Sequence, residues 1–82
     1  MEKKTSNYSQ KKFGENMRKR RLELDISQEE LSFRSELHRN YISDVERGTR
    51  NVSLKAMEKI AKGLDTSLYK LLKDDKNSLK QD

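Results

Sequence analysis

An arginine followed by an asparagine occurs at Arg39–Asn40 and again at Arg50–Asn51, with Ser43 between the two pairs. Arginine offers two parallel donors that match O6 and N7 of guanine, and an asparagine amide matches N6 and N7 of adenine. Nine residues separate the pairs, so both can serve one surface only if a short helix and a loop bring them together. The intervening sequence suits that layout. Ile42 and Val45 give a helix starting near Arg39 its apolar anchor, leaving Arg39, Asn40, Ser43 and Asp44 exposed. Such a helix fits the major groove of double-stranded DNA, which is about 12 Å wide. In the segment Arg47-Gly48-Thr49-Arg50-Asn51, Gly48 ends the helix, and the side chains that follow can reach base edges or phosphates.

Phosphate contacts would fix register around this reading group and make affinity salt-dependent. Gln28 has its amide at a helix start where backbone donors are free, a place suited to phosphate but equally to a local structural role. Arg18 and Arg21, on a basic helix upstream, are further phosphate candidates against a plain solvated face. Arg47 and Thr49 join them from the loop. His38 reads as a phosphate contact or a turn residue. Tyr41 points either to the DNA backbone or along its own helix.

Five helices are expected to position these groups. Phe13, Met17 and Leu24 share one face of a first helix from about Gln10 to Leu24. Ser27 caps a second helix, with Glu30 completing a capping box and Ile26 as a hydrophobic staple. This helix turns Leu31 inward, and Leu37 packs in the turn before the third helix. Ser53 caps a fourth with Leu54, Met57, Ile60, Ala61 and Leu64 inward, and Asp65 or Thr66 starts a fifth. Leu68, Tyr69 and Leu72 exceed what a terminal helix needs and are assigned in part to a two-fold interface. Glu46 is expected to pair with Arg47, Arg50 or a lysine. The domain plan is a flexible segment at 1–9, a DNA-binding and dimerisation domain at 10–74, and a flexible tail at 75–82.

Composition narrows the function classes. A chain of 82 residues has room for one small domain, and 30% hydrophobic content favours an all-α fold helped by a partner. The net charge of +5 draws the chain to an anionic polymer. Residues 1–22 hold eight basic and two acidic side chains, whereas residues 23–52 hold four and seven. Placement, rather than total charge, must therefore make the binding surface. With no cysteine and one histidine, no metal centre or other cofactor is expected. No apolar run nears the roughly 20 residues that span a bilayer, so a cytoplasmic protein, nucleoid-associated when on DNA, is expected without a membrane role. No nucleophile–base pair or paired carboxylates suggest an enzyme.

The run QEELSFRSELHRNYISDVERG, through Gln28, Leu31, Leu37, Ile42, Ser43, Glu46 and Gly48, resembles the Cro/C1-type helix-turn-helix family over residues 11–72. HRNYISDVERGTRNVSL at 38–54 and IAKGL at 60–64 more narrowly resemble the controller proteins of bacterial type II restriction–modification systems. The resemblance implies an all-α, lambda repressor-like five-helix domain that dimerises through its last helices on a pseudo-palindromic operator. It implies activation through RNA polymerase at low concentration. At higher concentration a second dimer represses, controlling the chain's own gene and a linked endonuclease gene. It places Arg39, Asn40 and Ser43 at base-reading positions, Arg50 and Asn51 at a contacting loop pair, and Gln28 at a phosphate-binding position.

Two departures stand out. Glu36 and Asp25 occupy places where the family commonly has glycine, so left-handed non-glycine residues are expected there. Ser32 replaces a common alanine and needs a hydroxyl partner if buried. Competing readings are a phage-type repressor, a DNA-binding antitoxin, and a protein-interaction adaptor using Glu29, Glu30 and Glu46.

Overall fold

A computed structural model describes residues 2–74, and the expected tail at 75–82 lies outside them. The order is α1 (Glu2–Glu23), α2 (Gln28–Ser35), α3 (Arg39–Arg47), α4 (Leu54–Gly63) and α5 (Leu68–Leu72). Helix α1 packs against α3 and α5, while α2 packs against α3 and α4. Helix α3 is thus held from behind by the two preceding helices. The core comprises Phe13, Met17, Leu31, Ile42, Val45, Ile60, Ala61, Leu64 and Leu71, with Leu24, Ile26 and Leu37 packed against it.

The helix boundaries follow local chemistry. Ser27 Oγ accepts from Glu30 N–H at 3.0 Å, and Ser53 Oγ accepts from Ala56 N–H at 3.1 Å. Only half of the expected capping box forms, because the Glu30 carboxylate accepts from Arg34 Nε one turn on at 3.0 Å. Helix α5 is capped by Ser67, which accepts from Lys70 N–H at 3.2 Å, rather than by Asp65 or Thr66. Those two residues close α4 instead: Asp65 N–H donates to Lys62 O and Thr66 N–H to Ala61 O, with Asp65 left-handed at φ 54°. Helix α1 begins at Glu2, so residues 2–9 of the segment 1–9 expected to be flexible are helical, and no proline or glycine lies among them. Within that stretch Tyr8 Oη donates to the Asp74 carboxylate beyond α5, and this bond raises the phenol's pKa above its ordinary value.

Asp25 (φ 59°) and Glu36 (φ 63°) are left-handed, as the family's glycines suggested. Glu36 is the C-cap of α2 and donates its N–H to Ser32 O. The Ser32 hydroxyl donates to Leu37 O, finding its partner within the turn. Gly48 ends α3 at φ 76°. Gly14 meets a different constraint, since a Cβ there would lie 2.4 Å from Val45 O and 2.6 Å from Glu46 O. The absence of a side chain lets α1 approach the back of α3. Leu54, expected inward on α4, is exposed at the helix's first position, and Ala56 is buried instead.

Candidate nucleic-acid interface

At 100° per residue, Arg39, Ser43, Arg47, Asn40 and Asp44 fall on one side of α3, within about 140°. Tyr41, Val45, Ile42 and Glu46 fall on the other. Ile42, Val45 and Glu46 are buried, Tyr41 is half-buried, and Arg39, Asn40 and Arg47 are exposed, while Ser43 and Asp44, expected to be exposed, are half-buried. Ile42 and Val45 contribute apolar burial, whereas Glu46 anchors the helix by charge.

Glu46 corrects two expectations at once. It pairs with neither Arg47 nor Arg50 but with Arg21, which donates from Nε to Oε2 at 2.7 Å and from Nη2 to Oε1 at 3.1 Å. Arg21 Nη1 also donates to Ile26 O at 2.8 Å, so this guanidinium is buried and engaged inside the domain rather than presented to a phosphate. Gln28 Nε2 donates to the same Oε1 at 3.1 Å. The start of α2 is thereby fixed to the ion pair, and Gln28 stays half-buried at that edge. Every buried side-chain nitrogen or oxygen among the described residues has a partner.

The basic loop gathers on Asp44. Its carboxylate accepts from Arg47 Nη2 at 2.6 Å and from Arg50 Nη2 at 3.3 Å. Its backbone carbonyl accepts from Thr49 N–H at 3.1 Å and from Thr49 Oγ1 at 3.2 Å. Arg47 Nη1 additionally donates to Ser43 Oγ at 3.0 Å, and the Arg50 guanidinium lies over the Tyr41 ring, 5.0 Å from its centroid. The Tyr41 ring is thus half-buried beneath Arg50. Asn51 is turned towards α1, where its side-chain oxygen accepts from Gln10 Nε2.

Arg39, Asn40, Ser43, Arg47, Thr49 and Arg50 are brought together on or just beyond α3, with exposed His38 as its N-cap residue. Arg18 is exposed on α1. Arg20 and Asn16 went unnoticed in the sequence. Arg20 donates to Leu64 O at 2.9 Å and to Asp65 O at 3.1 Å, and Asn16 donates to Leu71 O and Lys73 O at 2.8 Å each. Both bind carbonyls at helix ends, the acceptors left open by helix geometry. Their separation of 44 to 57 residues from those acceptors leaves no local sequence signal.

On α5 the expected interface residues divide. Leu68 is partly withdrawn against the core, while Tyr69 and Leu72 are exposed, and Leu71 completes the core. Leu72 borders an open groove with Phe13, Val52 and Met57. Phe33 on α2 is exposed as well. Among the described residues no group of acidic, histidine or cysteine side chains is placed to hold a metal, and no helix is long and apolar enough to cross a membrane.

The helix-turn-helix family model matches residues 17–71, from the last part of α1 through α2, α3 and α4 into α5. Control protein C.BamHI of Bacillus amyloliquefaciens is 54% identical over 61 residues, covering 73% of this chain and 75% of its own. The chain belongs to the helix-turn-helix controller proteins. The restriction–modification controller protein C.AhdI from Aeromonas hydrophila has a similar structure, with TM-score 0.74 and 45% identity over 76% of this chain and 94% of its own. The hypothetical transcription factor NHTF from Neisseria gives TM-score 0.81 at 36% identity, covering 90% of this chain and 85% of its own. As a member of this family the controller protein is a DNA-binding transcription regulator, not an enzyme.

Proposed function

We propose that this controller protein acts as a homodimer on a pseudo-palindromic operator upstream of its own gene. Arg39, Asn40 and Ser43 read base edges from α3, and Arg50 and Asn51 add contacts from the loop. Asn51 would exchange its Gln10 partner for DNA. Arg18, Gln28, His38, Tyr41, Arg47 and Thr49 serve the phosphate backbone, with Gln28 positioned by Glu46; Arg21 has no part in the contact. Tyr69 and Leu72 join the protomers across α5.

At low concentration one dimer activates transcription through RNA polymerase. A second dimer at higher concentration represses the controller gene and a linked restriction endonuclease gene. The site of action is the cytoplasm, on the bacterial nucleoid. The observation that supports this reading best is the two-sided α3, anchored by Ile42, Val45 and buried Glu46 and open along Arg39 and Asn40, with half-buried Ser43 beside them. Footprinting on the DNA upstream of the gene, with protein titrated at moderate salt, tests it. Sequential protection of two inverted repeats about a helical turn or more apart is expected. Protection of a single site would favour a simple repressor, and no protection would overturn autoregulation.

A further inference from the structure

Asp44 is an acid on the open side of α3, four residues from Gly48, the helix's C-cap. The C-terminal half of a helix carries partial negative charge, so a carboxylate there opposes helix stability. On a surface that approaches phosphates it also opposes binding. Neither effect explains an aspartate at this position; the contacts it makes do. Its two carboxylate oxygens are divided between Arg47 and Arg50, and its carbonyl holds Thr49 between them. Helix end and loop are thus fastened through one residue, with Arg50 kept over Tyr41.

We propose that Asp44 is a positioning residue that raises sequence discrimination by restraining Arg47 and Arg50. The inference rests on the reading that this face binds DNA, and goes beyond it by assigning a role to an acid that itself contacts no base. Unrestrained, two long arginines would seek any phosphate in reach and strengthen binding to every sequence. Held by Asp44, Arg50 pairs with base edges, and Arg47 with a phosphate, only where the duplex presents acceptors at their fixed positions. The carboxylate also repels phosphates that approach without such a match. Discrimination then comes partly from weakening the wrong complexes, a repulsive element beside the attractive ones.

The test compares wild type, Asp44→Asn and Asp44→Glu on two probes. One is a duplex selected by wild-type protein from a randomised pool, and the other is its scrambled counterpart. Asp44→Asn is expected to bind the scrambled duplex more tightly. Its salt dependence should steepen by up to about 0.9 for each arginine that moves to a phosphate. The ratio of selected to scrambled affinity should fall roughly tenfold, the scale of one base contact. Asp44→Glu, which keeps the charge, should retain the wild-type salt slope.

An unchanged ratio and slope in Asp44→Asn would overturn the proposal. So would lost discrimination at one base pair with no change in slope, which would make Asp44 a direct reader. Equal losses on both probes with a lowered melting temperature would reduce it to a structural residue. If selection with wild type enriches no sequence, the DNA-reading assignment of α3 fails first and this role with it.

Discussion

Arg21 and Glu46 lie 25 residues apart and meet inside the domain through two hydrogen bonds, of 2.7 and 3.1 Å. Their side chains are 10% and 3% exposed, so solvent screens the pair little. It joins the rear of α3 to α1, and through Gln28 to the start of α2. Removing one partner leaves a buried charge uncompensated, which costs about 3–5 kcal/mol. Arg21→Met or Glu46→Gln alone is expected to destabilise by that order in urea unfolding. The double replacement Arg21→Met with Glu46→Leu should recover much of the loss, because apolar packing removes both desolvation penalties. Additive losses in the double variant would contradict this account of the pair.

Glu36 adopts φ 63° at the C-cap of α2. A left-handed L-residue costs about 1–2 kcal/mol, and glycine there would relieve that at an entropic cost of about 0.5–1 kcal/mol. Glu36→Gly is therefore expected to stabilise the domain by roughly 0.5–1 kcal/mol, read as a higher urea midpoint at constant slope. A lower midpoint would show that Glu36 contributes more than its backbone conformation costs.

Local signals in the sequence accounted for much of the framework. Ser27 and Ser53 cap because they stand immediately before α2 and α4, and Ile42 and Val45 turn inward by their spacing. Asp25 and Glu36 are left-handed where the family resemblance placed glycine. Contacts between side chains distant in sequence were not legible. Arg21 looked like any basic residue of α1, and nothing near it in sequence marked Glu46 as its partner. Asp44 was seen only as an exposed acid, since its role depends on a loop folding back over the helix end. Leu54 failed for a different reason: its periodicity matched the inward face, but at the first position of α4 that face had not yet reached the core.

Leu72 is exposed beside the Phe13–Val52–Met57 groove, so Leu72→Asp should leave the monomer's fold intact. It is expected to weaken dimerisation by more than about 2 kcal/mol, the scale of a central interface residue. Sedimentation equilibrium would then give a monomer where wild type gives a dimer. An unchanged dimer would move the interface away from α5.

Arg18 lies exposed on α1. As a phosphate contact, Arg18→Ala should weaken binding to selected and scrambled duplexes alike, and lower the salt slope by about 0.9. A loss confined to the selected duplex would contradict that role.

Arg39 begins the open side of α3, its exposed side chain making no hydrogen bond or ion pair to another described residue. The central claim, that this helix selects the DNA sequence, is tested most directly by titrating wild type and Arg39→Ala against selected and scrambled duplexes at matched salt. The account expects Arg39→Ala to lose about 1–3 kcal/mol on the selected duplex, with much less change on the scrambled one. Equal losses on both would make Arg39 a phosphate contact and contradict base reading from α3.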